Sequence, residues 1–165
     1  MLGWRWRWVL RKRPQELDLT ALSQAQYLYI EGYLATSTSA RHAVSSARAL
    51  AQAQGIKTAL TFSDPAMVQY ARTGLVEMLA EGVDILFCNE HEALLWANTD
   101  NLNQAITVLH ELSPLVIVTC GSKGALISEK SQQTTIAPFP VTIWKFPKAA
   151  IIVVPSALFR QCVVI

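Results

Sequence analysis

No apolar run in this chain approaches the roughly 20 residues that a membrane-spanning helix needs, and stretches such as residues 149–155 fall far short of it. A transmembrane segment is therefore not expected. The basic residues Arg5, Arg7, Arg11, Lys12 and Arg13 are not followed by an apolar stretch of about 7–15 residues, so a secretory signal is not supported and a cytoplasmic location is expected. Charged residues are scarce, at 16% against a norm of about 25%. Apolar residues make up 52% of the 165, which argues against disorder and for a packed core of one-domain size. Cysteine is scarce too. Cys88, Cys120 and Cys162 stand apart, with neither CxxC pairing nor the spacing of a zinc site. An odd count also speaks against a secreted disulfide framework, so the three read as structural thiols of a reducing compartment.

The net charge of +2 conceals an asymmetry, because the first 13 residues hold five basic residues and no acid. The remainder has nine basic and twelve acidic residues, a net charge of −3. Trp4, Trp6 and Trp8 alternate with Arg5 and Arg7 in that head. Such a segment could stack on bases or lie in a membrane interface. It is short and stands alone, which favours an unpacked terminal segment or a sequence whose proper partner is missing, and nucleic acid is not expected as a partner.

From Ala21 onward, short apolar runs alternate with longer amphipathic stretches. Residues 26–34 (QYLYIEGYL) are β-branched and aromatic enough for a strand. Thr36, Ser37, Thr38 and Ser39 then offer helix N-caps, residues 40–54 carry Ala43, Ala47 and Leu50 at helical spacing, and Gly55 stands where a C-terminal cap belongs. Residues 56–62 (IKTALTF) read as the next strand, and Ser63-Asp64-Pro65 opens a helix through Val68, Leu75, Met78 and Leu79 that ends near Gly82. A third strand, 83–88 (VDILFC), precedes a helix starting at Asn89 and another over 102–112. A fourth strand, 115–119 (LVIVT), is apolar enough to predict burial on both faces. Residues 125–128 and 133–139 read as a β-hairpin. Strand and helix in regular alternation predict right-handed βαβ units, and hence an α/β three-layer sandwich with a mostly parallel sheet and helices on both faces.

Ligands of such sheets sit beyond the carboxyl ends of the strands. The candidates are therefore Glu31 and Gly32, Ser63 and Asp64, Asn89 and Glu92, and residues 119–124. Asn89 and Glu92, three apart at a helix start, can face one way and suit a hydrated divalent cation such as magnesium, which prefers oxygen ligands and keeps several waters. The same pair is equally an N-cap with its capping-box partner. Thr119-Cys120-Gly121-Ser122-Lys123-Gly124 has two glycines flanking a lysine, which lets backbone N–H groups approach a phosphate. It lacks the Walker pattern GxxxxGK[ST], so a plain tight turn remains the other reading. Asp64 reads as an N-cap or a substrate contact, His42, His91 and His110 as surface or structural residues, and Trp96 and Trp144 as packing residues.

Taken in order, these features resemble the ribokinase or PfkB family of sugar and nucleoside kinases, in its adenosine-kinase-like branch. The resemblance runs from about Ala21 to Val141 and is carried by YLYIEGYL at 27–34, SDP at 63–65, FCNEHEA at 87–93 and VTCGSKGALI at 118–127. It implies a ribokinase-like fold and transfer of the ATP γ-phosphoryl group to a hydroxyl of a sugar or nucleoside. It also implies that Asn89 and Glu92 help to organise Mg2+, and that Thr119, Gly121, Lys123 and Gly124 contact ATP. The family's Asp-Thr-x-Gly-Ala-Gly-Asp, which carries its anion hole and base, is not found after Val141. Residues 142–165 contain no glycine and no acid, so no catalytic residue is assigned.

The chain therefore divides, on expectation, into an atypical basic head (1–20), a partial PfkB-kinase-like domain (21–141) and an atypical apolar tail (142–165). An internal fragment of such a kinase, with both ends replaced as a shifted reading frame or truncated gene would do, is the simplest expectation for activity: inactive or impaired. A non-catalytic nucleotide-binding or regulatory module, and an interaction protein working through its basic head, are the alternatives. Exposed sheet edges and the uncharged run 149–154 (AAIIVV) further predict self-association.

Overall fold

The computed structural model describes residues 19–129, 132–138 and 162–164. The tryptophan-rich head, Trp144 and the run 149–154 lie outside these residues. The element order is α1 (Leu19–Ser23), β1 (Tyr27–Glu31), α2 (Thr38–Ala53), β2 (Lys57–Thr61), α3 (Pro65–Tyr70), α4 (Arg72–Leu79), β3 (Ile85–Asn89), α5 (Glu90–Ala97), α6 (Leu102–Leu109), β4 (Leu115–Thr119), β5 (Ala125–Glu129), β6 (Gln132–Ile136) and β7 (Cys162–Val164). They build a seven-stranded sheet in the order β6-β5-β4-β3-β2-β1-β7. Strands β1 to β4 and β7 are parallel, whereas β5 and β6 form the antiparallel hairpin. The mostly parallel α/β architecture expected from the alternation of elements is the one observed. Among the described residues, no helix is long and apolar enough to cross a membrane.

The chain steps from β1 to β4 in one direction, and right-handed crossovers that step the same way place their helices on the same face. One core accordingly gathers Leu28 and Ile30 of β1, Leu60 of β2, Leu86 and Cys88 of β3, and Val116 and Val118 of β4 with apolar residues of all six helices. The opposite face carries a smaller strand-only cluster of Ala59, Ile85 and Phe87, joined by Tyr27, Tyr29, Leu115 and Ile117. Strand β4 therefore departs from the burial expected on both faces. Val116 and Val118 are fully buried, while Leu115, Ile117 and Thr119 are only half-buried.

Helix α2 lies on the sheet through a stripe of small residues, Ala40, Ala43, Val44, Ala47 and Ala51, whose spacing keeps them on one face. The Ser37 hydroxyl caps its start by accepting from the Ala40 N–H at 3.5 Å. From the same helix the Arg48 guanidinium reaches the end of α4, where it donates to the carbonyls of Met78, Leu79 and Gly82. The carbonyls of Met78 and Leu79 are among those that a helix terminus leaves without intrahelical partners.

Three element boundaries differ from the expected ones. The first strand stops at Glu31 because the Gly32 N–H leaves the ladder and donates to Ser63 Oγ at 2.8 Å, after which Gly32–Thr36 forms a 3-10 turn. The single helix expected after Pro65 is two, broken at Ala71 (φ −119°, ψ 21°). Helix α4 is drawn against that 3-10 turn through Gly74, where a Cβ would lie 2.2 Å from the Ala35 carbonyl oxygen. The helix expected to reach residue 112 ends at Leu109. His110 follows it, with Nδ1 3.1 Å from the Ser113 carbonyl and Nε2 2.8 Å from Ser128 Oγ, so that this histidine ties the turn to β5.

Candidate functional site

The parallel strands place the ends of β1, β2, β3 and β4 along one edge of the sheet, where the sequence put its candidates. At the β1 and β2 ends the Ser63 hydroxyl accepts from Gly32 N–H and donates to Glu31 Oε2 at 3.0 Å. Ser63 itself has φ +68°, a left-handed conformation that a residue with a side chain adopts only when its surroundings enforce it. Asp64 is the N-cap of α3, accepting from the Ala66 N–H at 2.7 Å. The cap expected of it is formed.

Strand β3 is buried from Ile85 to Cys88 and emerges at Asn89. There it turns into α5 through a closed capping box. Asn89 Oδ1 accepts from the Glu92 N–H at 2.8 Å, the Asn89 N–H donates to Glu92 Oε2 at 2.9 Å, and Asn89 Nδ2 donates to Glu92 Oε1 at 2.6 Å. The capping-box reading of this pair is realised. It leaves each carboxylate oxygen a further lone pair, because an ionised carboxylate has about four acceptor sites in all. Glu92 is only 3% exposed. Burial pushes its pKa up, the Asn89 N–H opposes the shift, and Asp64 adds to it. Burial likewise raises the Cys88 thiol well above its ordinary value and raises that of Cys120, which favours the thiol over the thiolate at both.

In the sheet register Asn89 is opposite Thr119, so the two expected motifs begin side by side. The Thr119 hydroxyl donates to the Cys88 carbonyl at 3.5 Å. Beyond it, Gly121–Lys123 form a short 3-10 turn closed by Lys123 N–H to the Cys120 carbonyl (3.0 Å), Gly124 N–H to the Gly121 carbonyl (3.1 Å) and Cys120 N–H to the Gly124 carbonyl (2.8 Å). Gly121 and Gly124 have φ +57° and +93°. At Gly124 a Cβ would sit 2.0 Å from the Ile136 carbonyl oxygen, so the hairpin's far strand closes over a position that only glycine can fill. The exposed N–H groups of Gly121 and Ser122 have no acceptor among the described residues. Successive backbone amides are the groups from which anion-binding concavities are built.

Lys123 reaches back to α5, with Nζ 3.2 Å from both Oε1 and Oε2 of Glu90. Glu90 is the partner that sequence reasoning missed. Nothing in a 33-residue separation announces the pair, which arises because the β3 and β4 ends are neighbours. Among the described residues, no three His, Cys, Asp or Glu side chains converge to hold a metal. His42 and His91 are exposed, and Trp96 is a packing residue as expected, stacked on Phe62 at 4.7 Å with the Arg72 guanidinium 4.1 Å from its ring centroid.

This sheet, parallel but for its hairpin and with its loops gathered at the strand ends, defines an open α/β fold. Adenosine kinase from Sinorhizobium meliloti superposes with a TM-score of 0.75 at 28% identity, over 79% of this chain and 40% of that one. A putative ribokinase II from E. coli, in complex with ATP and Mg2+, gives 0.69 at 25% identity over 79% of this chain and 44% of that one. Anopheles gambiae adenosine kinase, in complex with a di(adenosine) tetraphosphate, gives 0.60 at 25% identity over 70% and 38%. The chain thus spans about two-fifths of the length of the solved structures it matches. No curated protein matches it. The pattern of the pfkB family of carbohydrate kinases matches residues 8–144, and the chain belongs to that family. Its fold is the ribokinase-like α/β sandwich, of which the described residues form part.

Proposed function

We propose that the chain holds the phosphates of ATP, with Mg2+, at the joined ends of β3 and β4, and that it belongs to the chemistry of phosphoryl transfer to a sugar or nucleoside hydroxyl. The observation that carries this reading is the pair of free, exposed N–H groups at Gly121 and Ser122, one step beyond the Asn89–Thr119 rung. Those amides are the donors for phosphate oxygens, with the Thr119 hydroxyl and the Lys123 ammonium beside them. Gly124 keeps the turn's shape. Asn89 and Glu92 offer an amide and a carboxylate that would hold Mg2+ through its waters, as suits a cation that gives up water reluctantly. When bound, Mg2+ neutralises charge on the phosphates. The E. coli ribokinase II, described with ATP and Mg2+, supports the pairing of these ligands.

On this reading residues 21–141 form the kinase part, within the 8–144 that the family's pattern matches. Residues 142–165 contain neither glycine nor acid and cannot themselves supply the anion hole or base that phosphoryl transfer uses. The chain is accordingly a nucleotide-holding form with absent or impaired turnover. A cytoplasmic, reducing compartment suits its protonated Cys88 and Cys120. The test is incubation of the full chain with MgATP and, in turn, adenosine, ribose and fructose, with bound nucleotide followed by equilibrium dialysis and ADP by chromatography. Bound ATP with no acceptor-dependent ADP is expected. Acceptor-dependent ADP that Asn89→Ala abolishes would overturn the impaired turnover, and an absence of bound nucleotide would overturn the site.

A further inference from the structure

The expected metal pair and the glycine turn are connected by one ion pair that neither role requires. Glu90, the first residue of α5, takes no part in the capping box, which Asn89 and Glu92 close between themselves. Its carboxylate instead takes the Lys123 ammonium, 3.2 Å from both oxygens. The lysine side chain is otherwise 72% exposed, and that of Glu90 34%. Resting on the nucleotide reading above, we propose that Glu90 is a positioning residue that latches Lys123 off the phosphate site, so that an arriving nucleotide must take the lysine from it.

Three features favour a latch over a structural strut. An ammonium is a compact charge on a flexible stem, able to exchange one anionic partner for another. Pairs this exposed are weak, so the contact can open when a more highly charged phosphate arrives. Glu90 also occupies the first turn of α5, the positive end of the helix dipole that would otherwise favour the phosphates. Lys123 is itself the last residue of the 3-10 turn. The pair therefore sits at the turn itself.

The test is calorimetric titration of MgATP into the full chain for the wild type, Glu90→Gln, Lys123→Ala and the double variant. Glu90→Gln should bind about two- to fivefold more tightly than wild type, the range expected for release of an exposed pair. The same substitution should change nothing in the Lys123→Ala background, because the latch then has no bolt to hold. Equal tightening in both backgrounds would mean simple repulsion between Glu90 and phosphate, and would overturn the latch. Unchanged or weaker binding by Glu90→Gln would overturn it while leaving the nucleotide reading intact. No binding by any of the four would overturn both.

Discussion

Asn89→Ala perturbs a site whose three hydrogen bonds are all defined. The substitution removes the Oδ1 acceptor of the Glu92 N–H and the Nδ2 donor to Glu92 Oε1, leaving the buried carboxylate only the backbone N–H of residue 89. Loss of an N-cap costs about 1 kcal/mol, and loss of a donor to a buried charged group adds about 1–2 kcal/mol. The sum, about 2–3 kcal/mol, corresponds to a fall in Tm of about 5–10 °C for a chain of this size. The pH dependence carries a sign. Burial holds the Glu92 pKa above its ordinary value, so the folded state binds that proton more readily and wild-type stability declines as pH rises from the ordinary carboxylate range through the raised value. Removing Asn89 Nδ2 raises the pKa further. The variant's extra cost therefore grows across that window and is complete above it, while below it only the cap loss of about 1 kcal/mol remains. Asn89→Ser, which restores the acceptor for the Glu92 N–H but not the carboxamide that reaches Glu92 Oε1, should recover the cap loss alone. Urea unfolding of the three proteins across this pH range is the assay. A loss that is constant with pH, or an Asn89→Ser variant no better than Asn89→Ala, would refute the reasoning.

Two further substitutions probe how the site is supported. Gly124→Ala places a Cβ 2.0 Å from the Ile136 carbonyl oxygen at φ +93°, which should cost about 2–3 kcal/mol. It should also speed amide hydrogen exchange in β5 and β6, whereas wild-type exchange there would show that the hairpin does not close over this residue. Arg48→Met keeps the aliphatic stem but forfeits the bonds to the carbonyls of Met78, Leu79 and Gly82. A loss of about 2–4 kcal/mol is expected, and a loss under about 0.5 kcal/mol, the size of an ordinary surface substitution, would show that water caps α4 equally well.

The elements that declared themselves in the sequence are those with local signals. Ser37, Asp64 and Asn89 are short polar side chains placed ahead of helical spacing, and they cap the helices they were expected to start. The α/β alternation followed from periodicity alone. What stayed hidden was set by partners far along the chain. The early end of β1 depends on Ser63 Oγ, and the break at Ala71 on the approach of Gly74 to Ala35. The one-sided cover of β4 depends on the direction in which successive crossovers step, which the run Leu115–Thr119 does not encode. At the site, both motifs were read from their residues, whereas their contact through Asn89 and Thr119 and the Glu90–Lys123 pair needed the sheet register.

Thermal unfolding of the full chain with and without millimolar MgATP bears most directly on the claim that this edge holds a nucleotide. A ligand at 100 times its Kd that binds only the folded state stabilises it by about 2.7 kcal/mol, or about 5–10 °C in Tm for a chain of this size. A cooperative transition that moves up by this amount, and loses the shift in Gly121→Val, is the predicted result. A cooperative transition that MgATP leaves in place would contradict it.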